Sequence, residues 1–172
     1  GDLPTSVDVS NGNGYGVLRI GLKQAEEISA HAEGANLKVM LAPHVTGAPT
    51  AIGFARNDDN PKRTVLTTLL PGAIHAVTLG DPEAGDALIV VPSSAGRATI
   101  DARRYIEFTV LPTASGLVLA PLTDDLNVAV HDARVTIGRP TGLSLTAPSM
   151  PNAETPASLA RGGDGPSYID FA

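Results

Sequence analysis

Along this chain, hydrophobic and polar positions alternate with a period of two over most of its length. In YGVLRIGL, Tyr15 to Leu22, Val17 and Arg19 fall on one face and Leu18, Ile20 and Leu22 on the other. In NLKVMLA, Asn36 to Ala42, Leu37, Val39 and Leu41 alternate against Asn36, Lys38 and Met40. Such alternation is the mark of strands with one buried face. Further short runs predict strands over Thr50 to Arg56, Thr64 to Leu70, Ile74 to Leu79, Ala87 to Val91 and Arg97 to Ile100. The series continues over Ile106 to Leu111, Gly116 to Leu122, Leu126 to His131, Ala133 to Gly138 and Gly142 to Ala147. Between the runs lie NGNG, EGAN, NDDNP, GDPEAGD, PSSAG, PTASG, TDD and RPTG. These are turn formers: Gly supplies positive φ, Pro presets φ, and Asn and Asp bond their own backbone. Short strands at regular spacing predict an all-β, antiparallel β-sandwich.

One stretch carries a helical alternative. Leu22 to Gly34, LKQAEEISAHAEG, is rich in Ala and Glu, but no capping residue opens it and Gly34 ends it early. A strand from Ile28 to Glu33 is the reading adopted. That strand runs into a phrase written twice: EGANLKV at Glu33 to Val39 and AGDALIV at Ala84 to Val90 both fit Gly-x-x-Leu-x-Val. Each copy predicts a hairpin in which the Gly permits the turn and Leu and Val, two apart, point to the core. His31 and His75 precede the two copies, which suggests a shared structural role. A third, weaker echo runs from Asp124 to Ile137, with its turn at His131-Asp132.

The sandwich is expected over residues 1–147, as one unit or as two small ones, 1–92 and 97–147. Beyond Ala147 the periodicity stops. PSMPNAETPASLARGGDGPSYIDFA, residues 148–172, is a Pro/Gly-rich tail or linker that cannot bury enough apolar surface to fold alone, or that leads to a further domain. Its end differs. Tyr168, Ile169 and Phe171 concentrate apolar and aromatic character, and form the candidate interaction segment.

Composition narrows the function classes. The 172 residues carry a net charge of −6 and a pI of about 5.0. Nucleic-acid binding needs a basic surface, so it is not expected. No apolar run approaches the roughly 20 residues that span a bilayer, so this segment is not expected to insert in a membrane. GDLPTSVDVS lacks the basic-then-apolar pattern of a signal peptide, so either there was no leader or it has been removed. Cysteine is absent, which removes disulfides and thiol chemistry. Aromatics are 3 %, thin for a sugar-binding or base-stacking platform. The core must therefore be aliphatic.

Chemistry-bearing motifs are equally sparse. The four histidines, His31, His44, His75 and His131, show no metal-ligand spacing, so no metal and no cofactor are expected. NDDN at Asn57 to Asn60 and TDD at Thr123 to Asp125 lack the calcium-loop pattern. GNGYG, Gly12 to Gly16, opens a strand where a dinucleotide loop would open a helix. Ser93 and Ser94 lack the Gly-x-Ser-x-Gly elbow of a nucleophile. Lys62, Arg63, Arg103 and Arg104 read as solvated turn charges or small basic patches.

GYGVLRIGLKQAEEISAHAEGANLKVMLAP resembles the opening of AMIN-type modules, and of the related β-rich regions that precede tetratricopeptide repeats in long alphaproteobacterial envelope proteins. The matching positions are Gly16, Leu18, Ile20, Ile28, Ala30, Gly34, Leu37, Val39 and Leu41. Phe108 to Thr146 resembles the end of such regions. The likeness is one of strand grammar; the chain is longer than one module, and its second half has no amidase-type counterpart. The resemblance implies a two-sheet sandwich acting as a non-catalytic, periplasmic binding or scaffold module. Its partners would be envelope proteins or peptidoglycan, and it would position its parent protein at the cell wall or in an envelope-spanning assembly. The alternative is a homo-oligomeric structural subunit of a ring, fibre or appendage, joined through strand edges and the tail. An enzyme would need convergent His and carboxylate groups that the sequence does not display.

Overall fold

A computed structural model describes residues 4–24, 26–34, 36–42, 49–60, 62–80, 85–94 and 96–145. The described residues form strands and turns and contain no helix, so the chain is all-β. The described residues among 22–34 are accordingly not helical.

The chain begins with two hairpins. β1 (Ser6–Gly12) pairs antiparallel with β2 (Tyr15–Gly21), and β3 (Glu27–Glu33) with β4 (Asn36–Ala42). Each pair is a sheet of two strands only. Gly34 turns the second hairpin at φ +61°, the left-handed region that glycine enters without a Cβ penalty.

The rest is a sandwich. β5 (Thr50–Ala51), β6 (Ala55–Asn57), β7 (Val65–Leu69), β8 (Val77–Gly80) and β9 (Ala87–Val91) come first. β10 (Arg97–Ala98), β11 (Arg103–Arg104), β12 (Phe108–Leu111), β13 (Leu117–Pro121), β14 (Asn127–His131) and β15 (Arg134–Gly138) follow. One sheet has the order β14-β15-β7-β6, the other β11-β12-β13-β9-β8, and all these pairings are antiparallel. β5 and β10 form a short parallel clasp that ties Thr50–Ile52 to Gly96–Ala98. β7 pairs with β15 and β9 with β13, so a cut between 92 and 97 would cross both sheets.

The two inner faces make one core, aliphatic except for Phe108, where the sequence predicted an aliphatic one throughout. Leu66, Val135 and Ile137 come from the first sheet, and Val91, Phe108, Val110, Leu117 and Leu119 from the second. Ile52, Leu70 and Leu143 close it from loops. At about 25 cal/mol per Å² of apolar surface, such burial is the main term favouring this fold. Gly116 allows a close backbone approach where β13 begins beside β9. At φ +77° its backbone N–H donates to the Arg97 carbonyl, and a Cβ there would stand 2.6 Å from the Val91 carbonyl oxygen.

Several expected strands are shorter or broken. Thr50 to Arg56 divides into β5 and β6, because Ile52 turns inward to seal the core between them. Ile74 to Leu79 pairs only from Val77. Ile106 lies outside β12, 70 % exposed. Residues 142–145 form no strand, and Thr146 and Ala147 lie outside the described residues. β1 and β11 are strands that the sequence reading passed over.

The repeated phrase forms a hairpin in each place, but its core-facing phase differs from the expectation. In the second copy Val91 is fully buried and Ile89 packs against the core, while Leu88 and Val90 face the other side. ALIVV is apolar on both faces, so alternation cannot choose between them. The outer face is itself apolar, with Val77, Val90, Val118 and Leu111 aligned across four strands. In the first copy Val39 is 38 % exposed, with no share in the core. The histidine correspondence also dissolves. Register aligns Leu37 with Ala32 and Leu88 with Leu79, which matches His31 to Thr78 rather than to His75.

The β14–β15 turn is made without glycine: Asp132 and Ala133 have φ of 48° and 60°. Two consecutive positive φ values match the right-handed strand twist, which is why Asn-Gly usually occupies such turns. Left-handed backbone costs a residue with a Cβ about 1 kcal/mol. Ala133→Gly should therefore raise stability by roughly 0.5–1 kcal/mol despite glycine's freer unfolded chain. A higher urea midpoint checks this; an unchanged or lower one contradicts the strained turn.

Candidate interaction surfaces

Two surfaces stand out, one on the hairpins and one at the seam of the sandwich. In the first hairpin, register places Val7 opposite Ile20 and Val9 opposite Leu18, all on one face. Val7, Val9 and Leu18 are 58 %, 71 % and 54 % exposed. The other face carries Val17 and Arg19, and the Arg19 guanidinium donates to the Gly80 carbonyl on β8 at 2.9 Å. One face thus leans on the sandwich edge and the apolar face points away. In the second hairpin Ile28 lies opposite Leu41, and Ile28 and Val39 are exposed on one face. Lys38 pairs with Glu33 at 3.6 Å across its exposed end, a contact worth little in water. An isolated two-stranded hairpin is marginal in water, and clustered exposed apolar side chains mark interaction sites.

The seam lies where edge strand β6 of one sheet meets edge strand β11 of the other. A groove of about 750 Å³ opens there. Leu66, Tyr105, Ile106, Leu122 and Leu145 line it, with Arg56 and Arg104 also on its wall. Arg103 reaches across the seam and stands over the Phe54 ring, 5.8 Å from its centroid. Arg56 is engaged with Asp58 at 2.5 Å, and that hydrogen bond holds the Asp58 carboxyl below its ordinary range. Arg104 has no ion pair among the described residues. Tyr105 stacks on Phe108 with centroids 4.7 Å apart, which fixes the groove floor to the core.

Beside the groove, Glu107 is fully buried. Its Oε1 accepts the Ser144 N–H at 2.8 Å and lies 3.7 Å from Arg139 Nη1. Arg139 also binds Asp125 Oδ2 through Nε and Nη2, each at 3.0 Å. Glu107 Oε2 has no partner among the described residues. This network pins residues 142–145 along the groove.

The residues singled out in the sequence separate in space. His75 is exposed ahead of β8, and His131 Nε2 lies 3.2 Å from Asp132 Oδ2 beside the β14–β15 turn. His31 lies on β3 in register with Lys38. Among the described residues no three His, Asp or Glu side chains gather to hold a metal ion. The Ser93 hydroxyl donates to the Ser94 carbonyl at 3.0 Å. Asn57 to Asn60 form a self-bonded turn, with Asn57 Oδ1 accepting from the Asp59 N–H. Lys62 and Arg63 are exposed on the following loop, and the seam's arginines are Arg56, Arg103 and Arg104. His44, Tyr168, Ile169 and Phe171 lie outside the described residues. Sequence reading missed the groove and the Glu107 network. The strongest signal available was Tyr105 near Phe108 in a chain so poor in aromatics.

No family model, curated protein or solved structure matches this chain. No helix among the described residues is long and apolar enough to cross a membrane.

Proposed function

We propose that this chain is a non-catalytic binding module whose hairpin pair docks on another component of a bacterial cell envelope, positioning the parent protein there. One observation carries the docking part: two consecutive hairpins expose apolar cross-strand clusters and own no core. Covering Val7, Val9 and Leu18 on one hairpin and Ile28 and Val39 on the other would supply the burial that each hairpin lacks. The envelope setting is supported by the AMIN-like grammar of the same segment, Gly14 to Pro43.

The test compares the chain with a Val9→Asp/Leu18→Asp variant. Both positions are exposed, so the sandwich should remain folded. The expected result is co-sedimentation of the unaltered chain with purified sacculi, or a cross-link from the hairpins to a defined envelope protein. The variant should bind at least roughly tenfold more weakly, about 1.4 kcal/mol. Equal retention of both, or of neither, would remove the hairpin faces as the docking surface.

A further inference from the structure

The two sheets of the sandwich end in β14 and β6, and in β11 and β8. An edge strand offers unpaired backbone groups to another chain unless shortness, charge or a cover blunts it. Three of these edges are blunted. β6 has three residues with Arg56 at its centre, and β11 has two, both arginine. β8 carries the Arg19 guanidinium on its Gly80 carbonyl. β14 differs. Its five residues, Asn127-Val128-Ala129-Val130-His131, include no Lys, Arg, Asp, Glu, Pro or Gly, and no described strand pairs with its far side.

Register shows which backbone groups that edge presents. The two-residue turn at Asp132-Ala133 makes His131 and Arg134 a hydrogen-bonded pair, and alternation along the ladder makes Ala129 and Asn127 the next residues bonded to β15. The N–H and C=O groups of Val128 and Val130 therefore point away from β15, to the open side. The side chains of the same two valines pack against the core yet stay partly exposed, because the described sheet stops beside them.

A second copy of β14 matches this edge. Run antiparallel about a twofold axis through Ala129, the strand pairs with itself over all five residues. Val128 then meets Val130 of the second copy, twice over, and each such pair exchanges two backbone hydrogen bonds. Ala129 falls on the axis as a non-hydrogen-bonded pair, where opposed Cα atoms stand closest, about 4.5 Å apart, and its side chain is small enough for that approach. The paired valines all lie on the core side, so each copy covers the partly exposed rim of the other. Charge agrees with the antiparallel sense. It sets exposed Arg134, which has no ion pair among the described residues, at the end where the second copy brings Asp124 and Asp125.

We infer that this chain self-associates through β14, in a twofold dimer that joins the two β14-β15-β7-β6 sheets into one. An interface of two short strands falls below the roughly 1,200 Å² of standard complexes, so the dimer is weak and its population follows concentration. The apolar hairpin faces take no part in it, so dimerisation and envelope docking can each fail alone.

The test is a charge swap on the axis, read by sedimentation velocity at low ionic strength. Ala129 is exposed, so Ala129→Lys and Ala129→Glu should both keep the fold. The unaltered chain should pass from monomer toward dimer between roughly 1 µM and 1 mM. Each variant alone places like charges directly opposite each other, and its dissociation constant should rise at least about tenfold. An equimolar mixture of the two variants should recover the dimer, because only the mixed pair sets opposite charges on the axis. A chain that stays monomeric throughout, a dimer that both variants leave unchanged, or a mixture no more associated than its components would overturn the inference.

Discussion

Phe108→Ala should lower the unfolding free energy by about 3–5 kcal/mol, the largest loss expected from any single truncation here. Phe108 is fully buried and the bulkiest side chain of the core. It sits on β12 opposite Pro121 and stacks under Tyr105, whose N–H donates to the Phe108 carbonyl at 2.8 Å. Removing the ring opens a cavity between two sheets held rigid by their own hydrogen bonds, so the walls cannot close on it. For a domain of this size the midpoint should fall by roughly 15–25 °C. Phe108→Leu, which refills part of the space, should cost roughly half as much. Urea unfolding of the three proteins checks the series. A loss below about 1.5 kcal/mol for the alanine variant would mean that the two sheets do not close on this ring.

Glu107→Ala should cost about 2–3 kcal/mol by a different route. The substitution removes little apolar surface. It removes the part-buried hydrogen bond from the Ser144 N–H to the carboxylate, worth about 1.5–3 kcal/mol, and takes one of two carboxylates away from Arg139. The arginine side chain is 25 % exposed and keeps Asp125, so its share is far below that of a sealed ion pair. Glu107→Gln retains an acceptor for Ser144 and should cost about 1 kcal/mol. The distinguishing readout is hydrogen exchange. In the alanine variant the Ser144 amide should exchange much faster than those of β12 and β13. Faster exchange spread evenly over the molecule would instead make Glu107 part of the global core.

The contrast between these sites shows what alternation reveals. β2, β4, β7, β13, β14 and β15 were legible because Leu-x-Val-like spacing places side chains on one face whatever lies opposite. β8 and β12 were legible only in part, since Ile74 and Ile106 are apolar yet sit outside the ladder. At Leu88 to Val91 every residue is apolar, so the spacing holds no phase. Nor does alternation say what covers a face. Val39 and Leu119 stand in equally regular runs, one exposed and the other at the centre of the core. The groove and the Glu107 network join residues distant in sequence, Arg56 to Arg104 and Glu107 to Ser144. Such proximity follows from sheet order, which local periodicity does not encode.

Sheet order also sets the sequence of events when the chain acquires its structure. β7 can pair at once with β6, but its other neighbour comes late: Leu66 meets Ile137 only once β15 has been made. β9 likewise waits for β13. The two leading hairpins need only a few residues and can close in microseconds, whereas non-local ladders form slowly because loop closure comes before any reward. During synthesis, β7 and β9 therefore emerge with one neighbour each, β6 and β8, and wait for the second. The sandwich cannot lock before β15, its last strand, has been made.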